Sequence, residues 1–126
     1  MTILKATINN PENNIHPNKK NIFKAFRVCP QEKLKVVFLG QDPYLNDKAT
    51  GLCFANPKDT LNREWSEHLK LIQDALERCF PGNGRFMDPS LEFWAKQGCL
   101  FLNVALTTSL SMRAKHIAFW KPITGA

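Results

Sequence analysis

KVVFLGQDPY, residues 35–44, begins as a short apolar run and ends in a sharp polar turn. The run over residues 35–40 is rich in β-branched and large apolar side chains, which is typical of a strand buried on both faces. Gly40 and Pro43 predict an abrupt exit from this strand into a loop. The carboxylate of Asp42 is therefore expected just beyond the carboxyl end of the strand.

A second apolar run, CLFLN at residues 99–103, has the same character. A long connection with helical patterns separates the two runs, as in a crossover between parallel strands. The sequence therefore predicts an α/β fold with a parallel central sheet flanked by helices. Two strands are few for such a sheet. We therefore expect one domain over residues 1–126 that is incomplete at its C-terminus, with residues 1–14 loosely held.

One helix is expected before the first strand in the sequence and one after it. KKNIFKAF, residues 19–26, places Ile22, Phe23 and Phe26 on one helical face. Over residues 65–80 apolar side chains also recur at helical spacing, and the Pro-Gly pair that follows is expected to end that helix.

A third helix is expected immediately before the second strand. Asp88 is a good N-cap residue, and Pro89 is favoured at the first helical position. The helix would run through PSLEFWAKQ, residues 89–97, and turn at Gly98 into the strand.

The composition gives weaker indications. Seventeen Lys and Arg residues against eleven Asp and Glu give a net charge of +6, which favours polyanionic partners without singling out nucleic acid. No apolar run approaches the roughly 20 residues that span a bilayer. The N-terminus has no secretory pattern. We therefore expect no membrane partner and an intracellular protein, cytoplasmic or, in a eukaryote, nuclear.

The four cysteines include no CxxC pair, so free thiols are favoured over a metal site.

The carboxyl ends of the two strands are the place to look for a site. In open α/β sheets, ligands bind in the crevice beyond these strand ends. Asp42 follows the first strand and Asn103 ends the second, so a carboxylate and a carboxamide are expected at one edge of the sheet. The pattern alone leaves simpler roles open, namely a turn residue before proline for Asp42 and a strand-end cap for Asn103.

GQDPY, residues 40–44, followed by GLCF, residues 51–54, resembles the water-activating loop of the family-1 uracil-DNA glycosylases, whose pattern is GQDPYH and then GLxF. EFWAKQGCLFLN, residues 92–103, follows in the family's order, and the similarity extends over residues 15–124. The resemblance implies an enzyme that flips uracil out of DNA and hydrolyses its N-glycosidic bond. It implies no metal and no organic cofactor, since water is the co-substrate. The implied partner is uracil-containing DNA, single- or double-stranded, and the implied state is a monomer.

The resemblance also implies roles for individual residues. Asp42 matches the aspartate that orients the attacking water and stabilises the positive charge of the sugar in the transition state. Asn103 matches the asparagine whose amide pairs with the uracil edge. Tyr44 matches the ring that excludes the methyl group of thymine, and Phe54 matches the ring that stacks on the base, although core packing would also explain Phe54. Gln41 is expected to contact the pocket mainly through its backbone.

The chain departs from the family pattern at several positions. The histidine that follows GQDPY in the family is Leu45 here. Ser66 and His68 stand near the family's phosphate-binding serine turn, and each is a candidate DNA contact or part of a solvated helix start. No segment after Asn103 resembles the HPSPL motif that carries the family's leaving-group histidine. Two alternatives therefore stay open: a catalytically impaired uracil- or DNA-binding relative, and an inactive fragment.

Overall fold

The computed structural model describes residues 14–84 and 87–125 of the chain. The expectation of a loosely held N-terminus concerns residues 1–14, and all of these except Asn14 lie outside the described residues. The regular elements are, in chain order, α1 (Lys24–Val28), β1 (Val36–Gly40), α2 (Glu67–Cys79), α3 (Glu92–Lys96), β2 (Cys99–Asn103) and α4 (Arg113–Thr124). Short 3-10 turns occupy Lys19–Asn21, Gln31–Lys33 and Asn62–Glu64.

β1 and β2 form a parallel pair, as the sequence predicts. Their register places Val36 opposite Cys99 and Gly40 opposite Asn103, so both strands end at the same edge of the sheet. Helices flank this pair, and the predicted α/β class is confirmed.

The two strands differ sharply in burial. Leu100, Phe101 and Leu102 of β2 are all buried, whereas the four apolar residues 36–39 of β1 are between 41% and 52% exposed. The prediction of a strand buried on both faces is therefore right for β2 and wrong for β1. Among the described residues β1 pairs with a strand along one edge only, and α1 and α3 pack against β2. Among the described residues both strands are edge strands of this two-stranded sheet, and β1 is the more exposed one because the helices cover β2 instead.

The first helix is shorter than predicted and faces another way. A 3-10 turn at Lys19–Asn21 precedes α1, and it advances by 3.0 residues per turn instead of 3.6. The backbone leaves the helical conformation at Phe23, where ψ is 19°, so Ile22 and the residues of α1 do not continue one apolar face. Ile22 and Ala25 are buried, whereas Phe23 and Phe26 are more than half exposed, so the prediction is wrong for these two phenylalanines.

The helix before β2 begins at Glu92, three residues later than predicted. Asp88 caps a turn instead: its Oδ1 accepts a hydrogen bond from the backbone N–H of Ser90 at 2.9 Å, and its carbonyl accepts one from Leu91 at 3.1 Å. Leu91 has a left-handed backbone with φ of 57°, which interrupts any helix that started at Pro89. The buried Leu91 side chain packs in the core, so tertiary packing sets this boundary.

α2 follows the prediction closely. It ends at Cys79, just before Pro81-Gly82, and it buries Leu69, while Phe80 is exposed. All four cysteines are free thiols; Cys29 and Cys53 are buried, and Cys79 is exposed. Over residues 14–84 and 87–125 no helix has the length and apolar character to cross a membrane.

Candidate active site

A cavity of about 300 Å³ lies beyond the carboxyl ends of β1 and β2, where the fold class places its ligands. Its volume is at the lower end of the range for small-molecule sites. Polar, charged and aromatic side chains share the lining, which includes Gln41, Asp42, Tyr44, Leu45, Phe54, His68, Asn103 and Arg113.

Asn103 is fixed by the strand register. It ends β2 opposite Gly40 and is buried. A Cβ placed on Gly40 would lie only 2.5 Å from Asn103 Oδ1, so the absence of a side chain at Gly40 creates the space for this amide. Within the described part of the chain the amide has no hydrogen-bond partner, and its donor and acceptor are available to a ligand in the cavity.

Backbone hydrogen bonds connect the segment after β2 to the end of β1 and the first residue of the following loop. The backbone N–H groups of Val104 and Ala105 donate to the carbonyls of Gly40 and Gln41, each at 2.9 Å. Ala105 thereby holds the backbone of Gln41 at the cavity, while the Gln41 side chain is exposed. The loop after β1 therefore starts from a fixed point.

Phe54 is held at the other end of the same loop. The N–H of Cys53 donates to the carbonyl of Phe101 in β2 at 3.1 Å. Phe54 itself has a left-handed backbone with φ of 67°. This conformation costs about 1–3 kcal/mol for any residue other than glycine. Such strain is concentrated at functional sites. The aromatic ring lines the cavity and stacks against His68, with ring centroids 5.6 Å apart.

Tyr44 joins this loop to the start of α2. Its hydroxyl lies 2.6 Å from Ser66 Oγ and donates to the carbonyl of Phe54 at 3.1 Å. Burial raises the pKa of Tyr44, so the phenol stays protonated. The fully buried Asn56 completes the link, since its Oδ1 accepts a hydrogen bond from the Ser66 N–H at 2.9 Å. Tyr44 is therefore oriented through its hydroxyl, and its ring lines the cavity.

Asp42 forms a two-point ion pair with Arg113, the first residue of α4. Arg113 Nε donates to Oδ2, and Nη2 donates to Oδ1 at 3.0 Å. The carboxylate raises the pKa of Arg113 through the hydrogen bond and through its charge. The pair joins two residues that are 71 positions apart in the chain.

A buried polar network anchors α4 behind the site. Trp120 Nε1 donates to Thr107 Oγ1 at 2.7 Å, and Thr107 Oγ1 lies 2.7 Å from His116 Nδ1. Because an indole N–H only donates, Thr107 Oγ1 accepts from Trp120, and its own O–H is free to donate to a neutral imidazole. Burial lowers the pKa of His116, in agreement with this neutral form.

The structure brings together most of the residues predicted for the site. Asp42, Tyr44, Phe54, Asn103 and the candidate phosphate contact His68 line one cavity, with the backbone-held Gln41 beside them, and their chemical roles stay predictions. Ser66 does not line this cavity; its hydroxyl is engaged by Tyr44.

Sequence reasoning missed two residues with clear structural roles, Arg113 and Asn56. Neither belongs to a motif, and their contacts to Asp42 and Ser66 are set by the tertiary fold. Over the described ranges no group of His, Cys, Asp and Glu side chains is arranged to hold a metal ion.

The fold and the lining define an α/β domain with a polar cavity, which contains a carboxylate, at the carboxyl ends of its two strands. The chain belongs to the uracil-DNA glycosylase superfamily, whose family model matches residues 26–123. The resemblance carried by residues 40–54 and 92–103 is thereby confirmed.

Comparisons with individual proteins agree with this membership. The uracil-DNA glycosylase of Campylobacter fetus subsp. fetus is 38% identical over 115 residues, which are 89% of this chain and 47% of that protein. The enzyme of Streptococcus pyogenes serotype M3 is 38% identical over 114 residues, 89% of this chain and 50% of that protein. The crystal structure of mimivirus uracil-DNA glycosylase superposes with a TM-score of 0.75 at 27% identity, covering 98% of this chain and 44% of that one. The chain spans about half the length of the curated relatives it matches.

Proposed function

We propose that this chain forms the base-binding part of an enzyme that hydrolyses the N-glycosidic bond of uracil in DNA. The products are free uracil and an abasic site, the first intermediate of base-excision repair. One observation carries the proposal: Asp42 and Asn103 line one cavity at the ends of two strands in fixed register, and no described residue hydrogen-bonds the Asn103 amide.

Asn103 supplies base selectivity. A carboxamide offers one donor and one acceptor, which complement O4 and N3–H of uracil. Cytosine presents an amino group and an unprotonated ring nitrogen at the same positions, so both hydrogen bonds would be lost. The mismatch would leave buried polar groups unpaired, which is a strong basis for discrimination.

Asp42 supplies the chemistry. Breaking the glycosidic bond leaves positive charge on the sugar, and a carboxylate fixed nearby stabilises that charge and orients a water molecule for attack. The Asp42 side chain is only 9% exposed, so its interaction with a developing charge is weakly screened. The step needs water alone as co-substrate.

The two aromatic side chains shape the pocket around the base. Phe54 provides a ring for stacking, and the uracil would lie on the face opposite His68. Tyr44 is held by Ser66 and by the carbonyl of Phe54, so its ring forms a stiff wall against bulkier bases.

The whole protein would act on single- or double-stranded uracil-containing DNA, as a monomer inside the cell. The net charge of +6 supports a polyanionic partner. His68 at the cavity rim remains a candidate phosphate contact, and Ser66 is a weaker one because its hydroxyl already binds Tyr44.

A second candidate function is a uracil- or DNA-binding protein without catalysis. Leu45 favours it, since this cavity-lining residue replaces the histidine of the family pattern. The ion pair between Arg113 and Asp42 also favours it, because it engages the carboxylate that would act on water.

The test is uracil excision from a single-stranded uracil-containing oligonucleotide by the 126-residue chain, followed by alkaline cleavage of abasic sites. We expect cleavage with uracil and none when thymine takes its place. Asp42→Asn keeps the shape of the side chain and removes its charge, and it should lower the rate on the order of 100- to 1,000-fold.

Asp47→Asn is the matched control. Asp47 lies in the same loop, is exposed and is absent from the lining of this cavity, so its replacement should leave the rate unchanged. Equal activity of the Asp42 and Asp47 variants would refute the catalytic assignment. A folded chain that binds the oligonucleotide without cleaving it would establish the second candidate.

A further inference from the structure

Arg113 occupies an unusual position for a positive charge. It is the first residue of α4, where the helix dipole disfavours cations, and that first turn contains no acidic residue. Its guanidinium is instead satisfied by the carboxylate of Asp42, with one N–H group on each oxygen. The contact between them is therefore what holds this side chain over the cavity.

The ion pair conflicts with the chemistry proposed for Asp42. A guanidinium bonded to both carboxylate oxygens neutralises the charge that should stabilise a cationic sugar. Arg113 also lines the cavity, next to the atoms that a nucleotide sugar must approach. The arrangement fits a free protein better than a protein with substrate in place.

The geometry also shows how the pair can open. The Arg113 side chain is 50% exposed, whereas that of Asp42 is 9% exposed, so the arginine is the partner that faces solvent. Ion pairs with an exposed partner are weak and easily exchanged. Phosphate oxygens accept the same two-point hydrogen bonds from a guanidinium as a carboxylate does.

We propose that Arg113 caps Asp42 in the free protein and transfers to a backbone phosphate of the DNA when a nucleotide enters the cavity. This inference rests on the function proposed above. Arg113 is thus a positioning residue that keeps the carboxylate neutralised until DNA supplies another anion. The exchange conserves both hydrogen bonds of the guanidinium and frees both oxygens of Asp42.

The experiment follows the Arg113 Nε–H group by NMR in the 126-residue chain. The probe is a single-stranded oligonucleotide with one 2′-fluoro-2′-deoxyuridine, whose fluorine withdraws electrons from the sugar and prevents bond cleavage. Arg113→Gln assigns the signal by its loss. In the free protein, Asp42→Asn should shift the Arg113 Nε–H signal. In the complex with the oligonucleotide, the signal should have the same position in the unchanged protein and in Asp42→Asn.

Salt dependence of binding provides a second measurement. Loss of one phosphate contact to single-stranded DNA lowers the slope of log affinity against log salt concentration by about 0.7, and Arg113→Gln should show this change. Lys115→Gln removes a neighbouring charge on the same helix and should leave the Arg113 signal and its response to DNA intact.

Three outcomes would overturn the proposal: an Arg113 signal that keeps its free-protein position in the complex, an unchanged salt slope in Arg113→Gln, or loss of the response in Lys115→Gln. The first two, with normal DNA binding, leave the proposed function standing. Absence of any binding to the oligonucleotide would refute both.

Discussion

Gly40→Ala is expected to disable the base pocket through a single methyl group. The backbone of Gly40 lies outside the left-handed region, so alanine is not strained there. The added Cβ would however lie 2.5 Å from Asn103 Oδ1 and 3.0 Å from Cys53 Cβ. The methyl group and the amide cannot both keep their positions.

The size of the effect follows from these distances. Non-bonded heavy atoms pack at about 3.5–4.0 Å, so the amide must move by roughly 1 Å. A displacement of that size in a catalytic site lowers the rate on the order of 100-fold, equivalent to about 2.7 kcal/mol of transition-state stabilisation. Overpacking of a buried position destabilises a fold by about 1–3 kcal/mol.

The assay compares the excision rate and the free energy of unfolding in a double-mutant cycle with Asn103→Ala. We expect Gly40→Ala to lower the rate strongly when Asn103 is present and weakly when the amide is absent, because the clash partner is then gone. Full activity in Gly40→Ala, or the same loss of rate in both backgrounds, would show that Gly40 does not create the space for Asn103.

Three further predictions test the pocket, the buried network and the sheet. Tyr44→Ala should allow excision of thymine as well as uracil, and continued exclusion of thymine in a direct excision assay would contradict the steric role of the ring. Because the pKa of His116 is lowered in the folded protein, its contribution to stability is complete above about pH 6.5 and is lost as the pH falls below that value. Thermal unfolding should show a decline that His116→Gln lacks, with a slope of at most about 1.4 kcal/mol per pH unit. Leu39→Thr on the exposed strand should change the free energy of unfolding by no more than about 0.5 kcal/mol, whereas Leu102→Ala in the buried strand should lower it by about 2–5 kcal/mol. Similar losses of unfolding free energy in the two variants would contradict the burial difference between the strands.

The sequence was sufficient for the features that depend on local patterns. Both strands, their parallel class and the helix Glu67–Cys79 follow from runs and periodicities of apolar residues. The meeting of Asp42 and Asn103 at one cavity follows from a rule about parallel strands, because carboxyl ends lie at one edge of the sheet.

The remaining features depend on contacts between distant segments. An apolar run predicts that a strand is buried, but it does not specify which elements cover the strand. Residues 36–39 are exposed because α1 and α3 pack against β2. The late start of α3 is set by the left-handed backbone and core packing of Leu91. The partnership of Arg113 with Asp42 spans 71 positions and leaves no periodic or motif signal.

The exact register of β1 and β2 has a consequence for how this chain tolerates changes in length. A one-residue slip between the strands would remove Asn103 from its place over Gly40 and reverse the direction of every following side chain. Insertions at residues 46–48, the part of the loop that does not line the cavity, change neither strand, since Gly40 and Cys53 are each hydrogen-bonded to the sheet or to the segment that follows it. A library of single-residue insertions should therefore retain base binding when the insertion falls at residues 46–48 and lose it at any position within residues 36–40 or 99–103.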